Sequence, residues 1–265
     1  MRAFDHLLLT RFNVHAEKWA EISPSDSWLH HRLDIFSRYC VPSIAQQSAR
    51  GFDWILLIDS GSPPWFVEQL GMISNRAGVT VHIERIEGYI GEANLAAAVT
   101  PHITSEWVIT TRIDNDDIVA TDFIATIQDA FEARQHVIID LPDGAVFRAG
   151  AFYLRRYSMN PFSSYIERSP GAVTVLRDNH LKLGRHGDVR SIRTTHPVWV
   201  THVHGENVFN RVRGWRVDPT PYRRWFPTLD LPHANSASVF GSRMAFAVVE
   251  AARRGKRVIR RLLSE

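Results

Sequence analysis

Trp107-Val108-Ile109-Thr110-Thr111-Arg112-Ile113 runs straight into Asp114-Asn115-Asp116-Asp117, a β-type segment delivered onto three carboxylates within four residues. A run so rich in β-branched and aromatic residues reads as a strand buried on both faces, the kind a parallel sheet needs. Three similar runs precede it: Leu7-Leu8-Leu9-Thr10, Trp54-Ile55-Leu56-Leu57-Ile58 and Val79-Thr80-Val81-His82-Ile83. Helical stretches lie between them. Leu29, Leu33, Phe36 and Cys40 recur at spacings that fill one helix face, with Pro42 ending that helix and opening a further turn to Ala49. Trp65 to Ile73 and the Ala-rich Gly91 to Ala98 read as two more helices, and Thr121 is placed to cap another. The alternation predicts an α/β fold on a mixed, mainly parallel central sheet flanked by helices. In such sheets ligands bind beyond the carboxyl ends of the strands, where Asp59 and the acidic run both fall.

The rest of the chain has another texture. His136 to Asp140 and Ala145 to Leu154 read as strands, the second antiparallel, and residues 155–230 are loop-rich with many Arg, His, Pro and Trp. A terminal helix is expected from Ser236 onward. With no linker in evidence, residues 1–265 are expected to form one unit with a continuous sheet. A nucleotide and metal half would occupy 1–135, a loop-rich acceptor half 136–235, and a basic C-terminal helix 236–265.

The 265 residues are 45% hydrophobic and 11% aromatic, enough for a packed core, which excludes a mainly disordered chain. The net charge of +3 is a cancellation. Residues 1–147 hold 10 basic and 20 acidic side chains, whereas residues 148–265 hold 21 and 8. The one cysteine, Cys40, excludes an internal disulfide and fits a reducing compartment. Asp5 and Arg11 interrupt any signal-peptide core, and no apolar run approaches the ~18 residues of a membrane span. A cytoplasmic location is expected. The tail from Arg253 to Leu263 has six basic residues, which suits peripheral contact with the inner, anionic face of a membrane or, equally, a solvated helix end. No nucleic-acid recognition motif is present, so no nucleic acid is expected as a partner.

Three crowded carboxylates stay ionised only where a cation or several donors compensate them. Mg²⁺ and Mn²⁺ use one or two carboxylates together with substrate phosphates, so Asp114 and Asp116 are candidate ligands for a metal–diphosphate. A solvated helix-capping turn is the competing reading. A calcium-binding EF-hand loop is disfavoured, because Val119 stands where its glycine should be, and Asp59-Ser60-Gly61 lacks the second Asp of an aspartyl phosphatase.

Thr10-Arg11-Phe12-Asn13, Cys40 to Gln47, Asp53 to Leu56, Thr111 to Asp117 and His204 to Gly214 follow one another in an order that resembles the group of GT-A-fold glycosyltransferases labelled putative rhamnosyltransferases. The resemblance implies a GT-A-like (Rossmann-like) fold, a nucleoside-diphosphate sugar donor, a divalent cation (Mn²⁺ or Mg²⁺) and a glycan or glycolipid acceptor, with rhamnose the sugar of the label. It implies that Thr10, Arg11 and Asn13 hold the nucleoside, with Asp59 accepting from the base and Asn94 near the donor. Arg112 and Arg211 would contact the diphosphate. His204 would join Asp114 and Asp116 on the metal, with His202 a weaker candidate. An inverting transfer needs a general base. Asp178 leads the sparse acids of the second half, followed by Asp188 and Glu167, although isolation among arginines equally suits salt bridging. A non-catalytic binding module on the same fold is the alternative from another class. A nucleotidyltransferase is disfavoured by the lack of a Gly-rich loop after Thr10.

Overall fold

The structure, a computed structural model, describes residues 3–14, 24–205, 212–244 and 246–247. The strands in chain order are β1 Phe4–Arg11, β2 Asp53–Asp59, β3 Thr80–Ile86, β4 Trp107–Arg112, β5 Ile118–Val119 and β6 Val137–Asp140. They continue with β7 Asp143–Arg148, β8 Ala151–Arg156, β9 Ser164–Arg168, β10 Asp188–Ser191, β11 Trp199–His202 and β12 Trp215–Val217. The helices are α1 Asp26–Ile35, α2 Val41–Ala45, α3 Pro64–Ser74, α4 Glu92–Val99 and α5 Phe123–Asp129; residues 236–244 are also helical.

Seven strands form the main sheet in the order β10-β6-β9-β4-β1-β2-β3. β4, β1, β2 and β3 run parallel, and β9 is antiparallel to both β4 and β6. This is the mixed, mainly parallel α/β sheet of a GT-A-like fold. The middle residues of β1, β2 and β4 are buried because both faces are covered there, whereas β3 and β10 at the two edges are largely exposed or half-buried. Leu8, Trp54, Leu56 and Ile109 face one core with α1, α2, α3 and α5, whereas Leu7, Leu9, Ile55 and Val108 face a second core with α4.

Four sequence expectations are corrected. The sheet is not continuous, since β12, β8, β7, β11 and β5 make a separate five-stranded sheet. Ala145 to Leu154 is not one strand but the hairpin β7–β8, turned at Ala149 and Gly150, whose φ values of 47° and 75° match the handedness of tight hairpin turns. Pro42 does not end the first helix. A π-helical turn, Phe36–Cys40, joins α1 to α2 with Pro42 in the first turn of α2, and such widened turns absorb a residue that cannot donate its N–H. Thr121 does not cap α5. Gln47 Oε1 accepts from Ile124 N at 2.9 Å instead, while Gln47 Nε2 donates to Ala120 O at 2.8 Å, so α2 holds the start of α5.

β5 sets the geometry of the site. It leaves the main sheet just after the acidic run and pairs antiparallel with β11, Trp199 opposite Val119 and Val200 opposite Ile118. That pairing returns the end of β11 to the carboxyl end of β4.

Candidate functional site

β4 ends in register with β1, Arg112 opposite Leu9, so Asp114 to Asp117 lie beyond the carboxyl edge of the sheet. Ile113 N donates to Leu9 O at 3.1 Å, and Asn115 Nδ2 donates to Phe12 O at 3.1 Å. The acidic turn is thus stitched to the end of β1. Cys40, in the π-helical turn, packs beneath it with Sγ 3.8 Å from Asp114 O.

Each acid has its own environment. Asp114 receives Arg112 in bidentate fashion, Nε to Oδ1 at 3.0 Å and Nη2 to Oδ2 at 2.7 Å. Burial opposes its charge, but Arg112 outweighs burial and brings the carboxyl down to about 2. Asp116 Oδ2 lies 3.0 Å from Arg32 Nη1 and 3.1 Å from His204 Nε2. Burial again opposes charge there, and proximity to His204 and Arg32 leaves Asp116 below the usual carboxylate range. Asp117 is the odd one out. Burial, reinforced by the negative charges of Asp116 and Asp114, pushes it well above that range despite a hydrogen bond from the His202 backbone.

Arg32 is the residue that sequence reasoning missed. It lies near the end of α1, with its guanidinium carbon 5.5 Å from the Trp28 ring one helical turn back. Its Nη2 donates to Asn115 Oδ1, and its Nη1 is 3.3 Å from His204 Nε2. The spacing of Trp28 and Arg32 was the only signal. His202, 5.4 Å from the His204 ring, packs on Tyr39 and is held down to about 4 by burial. These residues border an open cavity of about 380 Å³ lined by Tyr39, Phe147, Arg148, His202 and His204.

The structure therefore brings Arg112, Asp114, Asp116 and His204 together, and Arg11 flanks them closely enough to lower Asp114 further. Other expected residues have different work. Thr10 belongs to β1, not to a loop; its hydroxyl is fully buried and accepts from the Trp54 indole at 2.9 Å, so it cannot reach a nucleoside. Asn13 bridges the β1 and β2 loops, donating to Ser62 Oγ at 2.9 Å and accepting from Asp59 N at 3.2 Å. Asp59 Oδ1 accepts from Gly61 N at 2.8 Å and shapes the turn after β2. Asn94 is consumed by its own loop, accepting from Gly91 N at 2.7 Å and donating to Tyr89 O at 2.6 Å. Arg211 and the basic tail lie outside the described residues.

Each of the three candidate bases already has a partner in the fold. Glu167 is fully buried on β9 opposite Val108, six residues of chain (roughly 20 Å) from Asp114, and its oxygens accept from Val173 N and Thr174 N. Asp188 opens β10 opposite Val137, at the other edge of the sheet, and pairs with Arg134. Asp178 accepts from His186 Nε2 at 3.0 Å, which holds its carboxyl below the ordinary range.

The expected ligands do not form a divalent-ion site as they stand. Among the described residues no three His, Cys, Asp or Glu side chains converge in a metal-binding set. Asp114 is turned onto Arg112, and the one corner where two ligand atoms meet, Asp116 Oδ2 and His204 Nε2, already holds the Arg32 guanidinium.

The family described as "Putative rhamnosyl transferase" matches residues 4–216, from the first strand through β12. The chain belongs to that family. It is thus a member of a glycosyltransferase family, and its GT-A-like α/β sheet agrees with that membership. No curated protein matches the sequence significantly. Among solved structures it is similar to S. aureus TarS 1-349 in complex with UDP, with a TM-score of 0.47 and 11% identity over 76% of this chain and 61% of that one. It is also similar to the mannosyltransferase PcManGT from Pyrobaculum calidifontis in complex with GDP-Man and Mn²⁺, with a TM-score of 0.44 and 13% identity over 77% and 58% of the two chains. The chain thus spans about three fifths of the length of these structures. Among the described residues no helix is long and apolar enough to cross a membrane.

Proposed function

We propose that the family member described here transfers a sugar, rhamnose by the family's label, from a nucleoside-diphosphate donor to a hydroxyl of a glycan or glycolipid. The observation that carries this reading is the acidic and guanidinium cluster at the carboxyl edge of β4, in a chain that matches a glycosyltransferase family over residues 4–216. In the reaction the acceptor hydroxyl oxygen bonds to the anomeric carbon as the bond to the diphosphate breaks, its proton passes to solvent, and negative charge grows on the leaving group. Fixed cations at a partly dry strand edge stabilise that charge without reorganising. Arg112, locked by Asp114, is such a cation, and the cavity beside His202 and His204 has room for a sugar ring. The same reading treats residues 1–265 as one unit, placed in the cytoplasm, with 253–263 touching an anionic membrane surface.

The test is a panel of UDP-, dTDP- and GDP-sugars, read first by thermal shift and then by release of nucleoside diphosphate with added acceptor. Stabilisation by one donor and acceptor-dependent release support a transferase. Stabilisation without release supports a binding module. If no donor stabilises the protein, the reading is wrong.

A further inference from the structure

The corner made by Asp116 and His204 is shaped for a cation, and the cation in it belongs to the protein. Asp116 Oδ2 and His204 Nε2 are 3.1 Å apart. Two adjacent ligands about 2.1 Å from an octahedral ion would stand about 3.0 Å apart, so this separation suits two atoms sharing one positive charge. Arg32 Nη1 faces both, at 3.0 Å and 3.3 Å. Nη1 donates to Asp116 Oδ2 and lies against His204 Nε2, which is itself within hydrogen-bond distance of the same carboxylate oxygen. Nη2 is held by Asn115, whose own amide is tied to Phe12 O, and the Trp28 ring lies alongside. The guanidinium is therefore gripped on three sides, with the Arg32 side chain only 12% exposed.

Arg112 neutralises Asp114, and Arg32 neutralises Asp116. A divalent ion entering here must first expel a buried guanidinium from three partners, and removing one member of such a set is strongly unfavourable. One polar atom of the guanidinium is left over. Arg32 Nε is buried and has no hydrogen-bond partner among the described residues, although buried donors are nearly always paired.

We propose that Arg32 stands in for the divalent ion, so that donor diphosphate is bound by a built-in guanidinium, with Nε–H as a donor held for a phosphate oxygen, and that nucleotide binding needs no metal. This rests on the glycosyltransferase reading and names how that site holds its leaving group.

Calorimetric titration of the full chain with UDP, GDP and dTDP, each in EDTA and each in Mn²⁺, tests it. The wild type should bind its preferred nucleotide with Kd values in EDTA and Mn²⁺ that agree within about twofold. Arg32→Ala should lose at least about tenfold in EDTA, the effect of one charge-assisted hydrogen bond. Arg32→Gln, which can still donate to Asn115, should lose as much and, although its melting transition is lowered by the stranded Asp116, it carries the comparison if the alanine variant does not fold. Binding by the wild type in Mn²⁺ but not in EDTA would overturn the proposal, as would wild-type affinity of Arg32→Gln in EDTA. If none of the three nucleotides binds under either condition, the glycosyltransferase reading itself falls, a result distinct from either.

Discussion

Asn115 Nδ2 donates to the main-chain carbonyl of Phe12 at 3.1 Å, tying the end of β4 to the end of β1 across 103 residues of sequence. Asn115 is 1% exposed, and its Oδ1 accepts from Arg32, so one amide sets both the turn and the guanidinium. Asn115→Ala leaves a buried carbonyl and a buried guanidinium short of partners. Equilibrium urea unfolding should register a loss of about 2 kcal/mol, within the range for an unsatisfied buried group. A change under about 0.5 kcal/mol, the scatter of neutral surface substitutions, would show that other contacts hold the turn.

Arg112 and Asp114 make a pH-dependent pair. The Asp114 carboxyl sits at about 2 in the folded protein and ordinarily near 3.8. A depressed acid contributes stability in full above its unfolded pKa and loses it as pH falls through the folded value, so this contribution disappears between about pH 4 and pH 2. Arg112→Met removes the cause while keeping much of the side-chain volume. Carboxyl titration by NMR should then show Asp114 moving upward, and the variant should be destabilised at pH 7 by about 3 kcal/mol, the cost of stranding one partner of a buried pair. An unmoved Asp114 titration would contradict the assignment of Arg112 as its main partner.

Buried neutral histidines act in the opposite sense. Burial holds His6 down to about 3 and His180 down to about 4, both from 6.5. The unfolded chain takes up their protons first, so folded stability falls as pH drops from about 6.5 toward 4, by up to about 1.4 kcal/mol per pH unit for each group. His6 is 1% exposed, with Nε2 2.8 Å from Thr111 Oγ1 and Nδ1 accepting from Gln128. His6→Phe should therefore be less stable at pH 7 but should show a shallower decline in that window. Parallel slopes for wild type and variant in unfolding at pH 7, 6, 5 and 4 would contradict this.

The parallel core was legible because β1, β2 and β4 are buried along their middles and each centres on a continuous apolar run, Leu7 to Leu9, Trp54 to Ile58 and Trp107 to Ile109. The hairpin of β7 and β8 was not, because its turn sits inside a continuous β-type run where Ala149, an unusual residue for φ 47°, gives no turn signal. The acidic run stood out in sequence, and the neighbouring Arg112 with it. Arg32 did not, since its place depends on a helix that passes through a π-helical turn to bring α1 against the end of β4. The candidate bases stand out in the sequence as rare acids in a basic region. In the fold that rarity reflects structural engagement: Glu167 caps a buried loop and Asp188 sits in a surface ion pair.

Thr10 separates structure from binding. Its hydroxyl accepts the buried Trp54 indole N–H at 2.9 Å, and Trp54 is itself fully buried. Thr10→Val keeps the shape and strands that N–H, for a loss of about 1–3 kcal/mol in chemical unfolding. Nucleotide affinity of the folded variant should match wild type. A selective loss of affinity with unchanged stability would place Thr10 at the nucleoside after all.

The second sheet depends on one missing side chain. A Cβ added to Gly144 in β7 would lie 2.2 Å from ring carbons of Trp199 in β11, well inside contact distance. The ring cannot give way: it is fully buried, stacked on Phe162 with centroids 4.9 Å apart, and its Nε1 donates to Leu141 O at 2.6 Å. Gly144→Ala must therefore push β7 away from β11, at an overpacking cost of about 2–3 kcal/mol in thermal or urea unfolding. The displacement should travel further than the core, because β11 ends at His202 and carries His204 to Asp116. Folded Gly144→Ala is expected to bind nucleoside diphosphate more weakly than wild type. Pairing it with Trp199→Phe, which shrinks the obstructing ring system, should recover part of both losses. If the double variant is no better than the sum of the two single changes, the clash is not what couples the second sheet to the site.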